Sequence, residues 1–256
     1  MSTFKIKFEI IPRYLSGPSK RRPCITLDPC LFMVAHDTGN PGSTAAGNVS
    51  YFENSRDEAE ASAHLFVDDK EIIECIPFLT SVPEKAWHVR YNTGIDNEQF
   101  GADANDAAGG VELCYGGTIH LSEAYTRYLW VLAYSCYQHG LNPKTDLSGH
   151  HLLDPTRKTD PMNAFNLLGK TFEEFVQDVV DEYNDCLRAE EDEDNMPMKL
   201  EDWQWDMLYQ VLGTAYNSDQ LGWNWMQKIV DKTMTATELA FVNTVLDGRV
   251  DRGIEV

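Results

Sequence analysis

The 256-residue chain reads as an α/β protein, a mixed central β-sheet flanked by helices, with a small all-α module at its C-terminus. Short strand-like runs alternate with helical stripes up to residue 187, and the connections between them are too long for hairpins alone. A charge run over 188–195 then separates this pattern from roughly sixty residues that read only as helix.

The elements follow in chain order. Phe4, Ile6, Phe8 and Ile10 alternate against Lys5, Lys7 and Glu9, which predicts a first strand over Met1–Ile11 and not the continuous apolar core of a signal peptide. Leu31–His36 (LFMVAH) is a short apolar strand that ends in a polar cluster, Asp37 to Gly42. His64–Val67 and Glu71–Ile76 form a hairpin across Asp68, Asp69 and Lys70. Val111–Tyr115 is another short strand, entered through the small residues Ala107 to Gly110.

Ser122 caps a helix whose Tyr125, Leu129, Leu132 and Cys136 share one stripe, stopped by Gly140. A strand-like run over 145–148 precedes Gly149. Thr171 and Glu174 have capping-box spacing before a helix with Phe172, Phe175, Val179 and Tyr183 in line.

These elements make a first domain of residues 1–187. Residues 188–197 read as an acidic linker, because a block of like charge repels itself and buries nothing. Residues 198–256 then hold three amphipathic helices, over 200–216, 223–232 and 236–246. Trp203, Trp205, Trp223 and Trp225 supply the apolar area such a small module needs.

With 41 acidic against 21 basic residues the net charge is −20, and the only basic run is Lys20-Arg21-Arg22. Little here would neutralise a phosphate backbone, so no nucleic-acid partner is expected. Residues 173–194 alone carry 11 acids against one base, a solvated helix face running into the linker. No apolar stretch approaches the roughly 18 residues of a membrane span, so no transmembrane segment is expected. Six cysteines without a CxxC pair, and no secretory signal, argue for reduced thiols and against a disulfide framework.

A lone histidine is ordinarily a surface or satisfied core residue. Three residues stand out by position: His36 closes an apolar strand, His150 follows Gly149, and Asp160 comes ten residues later. Two histidines and a carboxylate match the three-ligand, one-water arrangement of a catalytic zinc, whereas a structural zinc would want four closed ligands.

Four ordered pieces carry a resemblance: VAHDTGN (34–40), SAHLFVDD (62–69) with AWH (86–88), GGVELC (109–114) and GHHLLDPTRKTDP (149–161). In this order and at these separations the chain, over about residues 25–183, resembles the zinc-dependent N-acetylmuramoyl-L-alanine amidases. That group includes phage endolysins, autolysins and peptidoglycan recognition proteins. The resemblance implies His36, His150 and Asp160 as Zn2+ ligands, with Asp160 where many relatives have cysteine. His151 competes with His150, and the interval to Asp160 favours His150.

The resemblance further implies Glu112 as the acid that handles the water proton and Lys158 as the oxyanion donor, with Arg157 as its rival. His64 and His88 lie in family motifs off the ligand positions and read as cleft walls or hydrogen-bonding supports; Trp87 offers a surface to sugar or peptide. These three are the substrate-binding expectations. Asp37 reads as an anion behind the ligands, and His120 and His139 receive no role.

The implied reaction is hydrolysis of the amide between N-acetylmuramic acid and L-alanine in bacterial peptidoglycan. Two other readings remain open, a peptidoglycan-binding protein without catalysis and a cytoplasmic amidase that recycles soluble muropeptides. A catalytic domain without a signal, followed by a further module, is most similar to a phage endolysin, accumulating in the host cytoplasm and acting on the wall after holin release. The C-terminal module is then expected either to bind wall polymer or to self-associate. Met196 and Met198 after the linker raise a separately started module.

Overall fold

The computed structural model describes residues 4–91, 93–187 and 196–252. The chain divides into two compact units, Met1–Leu187 and Arg188–Val256. The acidic run expected as a linker lies largely outside the described residues.

The first unit is built on a six-stranded sheet. In chain order the strands are β1 (Ile10–Pro12), β2 (Phe32–Asp37), β3 (Leu65–Val67), β4 (Ile72–Glu74), β5 (Ala108–Leu113) and β6 (Leu147–Gly149). Their spatial order is β1-β4-β3-β5-β2-β6. The β3–β4 hairpin is antiparallel, and the other neighbours pair in parallel. The mixed sheet expected from the sequence is therefore present.

Alternation along β2 divides the interior. Met33 and Ala35 join the main core with Val111 and Leu113 of β5. The helices α4 (Leu121–His139) and α7 (Phe172–Leu187) supply Tyr128, Leu132, Phe175 and Val179 to the same core. Phe32 and Val34 point the other way, into a smaller cluster with Ala104, Ala108 and Leu153. Among the described residues that side is covered by short helices, α2 (Ile95–Phe100), α3 (Ala104–Ala107) and α5 (His150–Leu153). His36 and Glu112 follow the even-numbered register onto this thinly covered side.

The helix signals have the expected chemistry. Gly140 ends α4 in the left-handed conformation at φ 68°. Thr171 and Glu174 exchange the two hydrogen bonds of a capping box at α7. The start of α4 differs from expectation: its N-cap is His120, with no side-chain cap bond, rather than Ser122.

Two strand expectations need correction. Residues 1–3 of the expected N-terminal strand lie outside the described residues, and of the rest, 4–11, only Ile10 and Ile11 enter the sheet, in β1. Phe4 instead packs on Tyr134, Tyr137 and Tyr183, and Phe8 lies edge-on to Trp130, while Ile6 stays exposed. The Lys5 carbonyl accepts from Trp130 Nε1 and its N–H donates to Cys186, so helix contacts replace a strand partner. The fifth strand begins earlier than Val111, at Ala108. Its glycines pair with Met33 and Val34 in the ladder, and no side chain fits there, since a Cβ on Gly109 would meet Phe78 at 2.2 Å and one on Gly110 would meet His88 at 2.7 Å.

The basic run 20–22 is structural. Arg21 is buried, donating to Ser55 and Ala61 with its guanidinium over Phe52, and Arg22 forks onto Glu84.

Among the described residues the second unit holds three helices, α8 (Asp202–Asn217), α9 (Trp223–Val230) and α10 (Ala236–Arg252). Trp205, Leu212, Met226, Ile229, Met234 and Val242 form its core. Thr235 and Glu238 form a capping box at α10. Trp203 and Trp223 remain exposed. Among the described residues no helix is long and apolar enough to cross a membrane.

Candidate metal centre

Three parallel strands, β2, β5 and β6, deliver the chemistry at their C-terminal ends, the end at which open α/β sheets bind ligands. His36 is the penultimate residue of β2, Glu112 the penultimate residue of β5, and His150 directly follows β6. Asp160 is brought back to this edge by a turn in which its carbonyl accepts from the His151 N–H.

His36, His150 and Asp160 are all buried, and their ligand atoms lie within 4.8 Å of one another. Asp160 Oδ2 sits 2.9 Å from His36 Nδ1 and 3.0 Å from His150 Nδ1. The donor set, two imidazole nitrogens and one carboxylate oxygen, suits a divalent transition ion with one position left open. His150 Nε2 is buried and has no hydrogen-bond partner among the described residues. His151 turns away, its ring edge-on to Phe172, so His150 is the histidine that reaches Asp160.

Burial holds the imidazole of His36 at about 4, below its ordinary range, so it is neutral, as a ligand must be. Burial alone would raise the Asp160 carboxyl, but His150 and His36 beside it pull it below the usual carboxylate range.

The cluster opens into a cleft of about 480 Å³ whose lining includes Trp87, His88, Glu112, Tyr115, Arg157 and Lys158. Glu112 Oε2 is buried with no hydrogen-bond partner among the described residues. Burial, then the nearby charges of Asp160 and Asp37, push its carboxyl well above the usual range. Lys158 Nζ lies 3.9 Å from Asp160 Oδ1, while Arg157 is held by Asp154 through Nε at 2.8 Å.

Trp87 and His88 line this cleft, but His64 does not. His64 is fully buried behind it, accepting from Gly110 N–H on Nδ1 and donating from Nε2 to the Glu84 carbonyl, so it supports the sheet and does not face substrate. His139 stacks on Phe78 in the core.

Two groups support the site from behind: Asp37, expected as an anion behind the ligands, and Asn105, which was not assigned from sequence. Asp37 accepts from Gly39 N–H, Asn163 Nδ2 and Ala164 N–H, tying β2 to α6 (Met162–Leu168) just after Asp160. Asn105 Oδ1 accepts from the N–H groups of His88 and Val89, which fixes the loop carrying His88. An Asp at a strand end is a visible turn signal, whereas Asn105 carries no local signal for a partner 17 residues away.

Residues 27–163, just over half of the chain, match the family described as N-acetylmuramoyl-L-alanine amidase. The N-acetylmuramoyl-L-alanine amidase BlyA of Bacillus subtilis (strain 168) is 34% identical over 155 residues, covering 58% of this chain and 41% of BlyA. The chain therefore spans less than half the length of that relative. The 1,6-anhydro-N-acetylmuramyl-L-alanine amidase AmpD of Salmonella typhimurium is 30% identical over 162 residues, covering 60% of this chain and 82% of AmpD. In fold the chain is similar to a mutant endolysin from Bacillus subtilis, with a TM-score of 0.54 and 24% identity over 67% of this chain and 99% of that one.

Proposed function

The chain belongs to the N-acetylmuramoyl-L-alanine amidase family, and on that premise we propose that it is a zinc-dependent peptidoglycan hydrolase that cleaves the amide between N-acetylmuramic acid and L-alanine. The observation that carries this reading is the unpaired Glu112 Oε2 in the cleft that also holds the His36, His150 and Asp160 ligand atoms.

An amide resists water because resonance weakens its carbonyl as an electrophile and its amine is a poor leaving group. His36, His150 and Asp160 would hold a zinc ion, which would supply a Lewis acid and lower the pKa of a water towards ~7. Glu112 Oε2 takes the proton of the attacking water and returns it to the departing alanine nitrogen. Lys158 Nζ donates to the tetrahedral oxyanion, a contribution of about 3–4 kcal/mol for a well-placed donor. Arg157, pinned to Asp154, shapes the wall beside it. Trp87 offers its ring to the sugar or peptide on the rim.

The second unit favours the endolysin reading over muropeptide recycling. The exposed rings of Trp203 and Trp223 suit stacking on wall sugars, which a recycling enzyme has no need to bind. Such an enzyme would be held in the host cytoplasm until a holin opens the membrane.

Digestion of purified walls tests this function. New L-alanine amino termini without new reducing sugars, abolished by chelation and restored by Zn2+, are the expected result; new reducing sugars would overturn it. Faster turnover of soluble muropeptides than of intact walls would support recycling instead.

A further inference from the structure

We propose that His88 is a positioning residue for the metal centre: its Nδ1 accepts a hydrogen bond from His36 Nε2–H and so leaves His36 Nδ1 as the nitrogen aimed between Asp160 and His150. This rests on the metal-binding reading above.

The inference follows from counting protons along a file of imidazoles. His150, His36, His88 and His64 lie in sequence, with successive ring centroids 4.7, 5.2 and 5.6 Å apart. A carbonyl can only accept, so the 3.1 Å contact between His88 Nε2 and the Ala108 carbonyl requires the proton on His88 Nε2. A neutral imidazole has one N–H, which leaves a lone pair on His88 Nδ1. That nitrogen lies 3.1 Å from His36 Nε2, so His36 must be the donor and its own proton is on Nε2. His36 Nδ1 is then the nitrogen turned to the ligand side. It faces Asp160 Oδ2 at 2.9 Å, close enough for the two atoms to share one cation, a proton or a metal ion.

His64 shows the same logic at the inner end. It accepts from Gly110 N–H at 2.9 Å and donates to the Glu84 carbonyl at 2.9 Å, so main-chain groups also set its proton on Nε2. Among the described residues no carboxylate hydrogen-bonds to His88.

The seat of His88 is built for this role. Asn105 holds the His88 and Val89 N–H groups at 2.9 and 3.0 Å. Gly110 supplies the space for the ring, since a Cβ there would lie 2.7 Å from His88 Cγ and Nδ1. With both ring nitrogens committed inside the protein, His88 borders the cleft but reaches substrate only through the orientation it imposes on His36.

Selective 15N-histidine labelling of the full-length chain loaded with Zn2+ tests the tautomer directly. A proton on His36 Nε2 and an unprotonated Nδ1 are expected; a proton on Nδ1 overturns the proposal. Zn2+ titration against a chromogenic chelator then compares two variants. His88→Phe keeps a ring but no acceptor and should bind Zn2+ about 10–100-fold more weakly, whereas His88→Asn keeps an acceptor at the δ position and should recover most of that loss. A folded His88→Phe chain that binds Zn2+ as tightly as wild type overturns the proposal. A wild-type chain that takes up no Zn2+ removes the metal reading as well, whereas tight Zn2+ binding with the other tautomer removes this inference alone.

Discussion

His36 and Glu112 are direct register partners on the adjacent parallel strands β2 and β5, each one residue from the strand's C-terminal end. Paired residues of parallel strands project to the same face, so strand pairing places the proposed acid–base group beside a proposed ligand. The cleft therefore has a rigid floor, and its variable parts, Trp87 and residues 157–160, come from loops.

Glu112→Gln should fold and keep Zn2+ affinity while hydrolysis of purified walls drops by about 10²–10⁴ in kcat, the usual worth of a positioned general base. Release of free L-alanine amino groups is the measurement. Turnover close to wild type would remove Glu112 from the reaction.

Lys158→Met should lower kcat by about 10²–10³ with Zn2+ still bound, as expected for loss of one oxyanion donor. Arginine at the same position should recover part of the rate. If Arg157→Met proves the more damaging of the two changes, the donor has been assigned to the wrong neighbour.

Acid should destabilise the metal-free chain through His64. Burial lowers this histidine to about 4 in the folded state, while the unfolded chain binds a proton near pH 6.5. The unfolded state therefore gains the proton first. Stability is complete above about pH 6.5 and is lost as the pH falls towards 4, with about 2 kcal/mol gone between pH 7 and 5 from this residue alone. Urea midpoints at the two pH values measure it, and equal midpoints would contradict a neutral buried His64.

Gly110→Ala should cost about 1–3 kcal/mol, because the added methyl overlaps the His88 ring and the strand cannot yield. Zn2+ affinity should fall with stability, since displacing His88 also disturbs His36. An alanine variant with native stability and affinity would show that the ring moves freely.

Sequence carried the site further than its surroundings. The LFMVAH run, the Gly140 stop and the Thr171–Glu174 capping box are local signals, and each has its counterpart in the fold. The Phe4–Ile10 alternation is equally regular, yet most of it lies against Tyr134, Trp130 and Tyr183, because period two reports a half-buried extended chain whether or not a strand lies beside it. His64 and His88 show the same limit for function. Both sit in similar motifs, and what separates them is which distant backbone groups they meet: Gly110 and Glu84 for one, Ala108 and His36 for the other.

The strand β6 is a three-residue edge strand, joined to the sheet only through Met33, Val34 and Ala35 of β2. Edge strands this short open locally at little cost. His36 on β2 and His150 at the start of α5 sit immediately beyond that pairing, so an ion held between them would act as a clasp at this edge of the sheet. Amide hydrogen exchange at Leu147–Gly149 should accordingly slow when Zn2+ is added, while exchange in β3 and β4 stays as it was. The same atoms that are assigned to chemistry would then fasten this edge of the sheet.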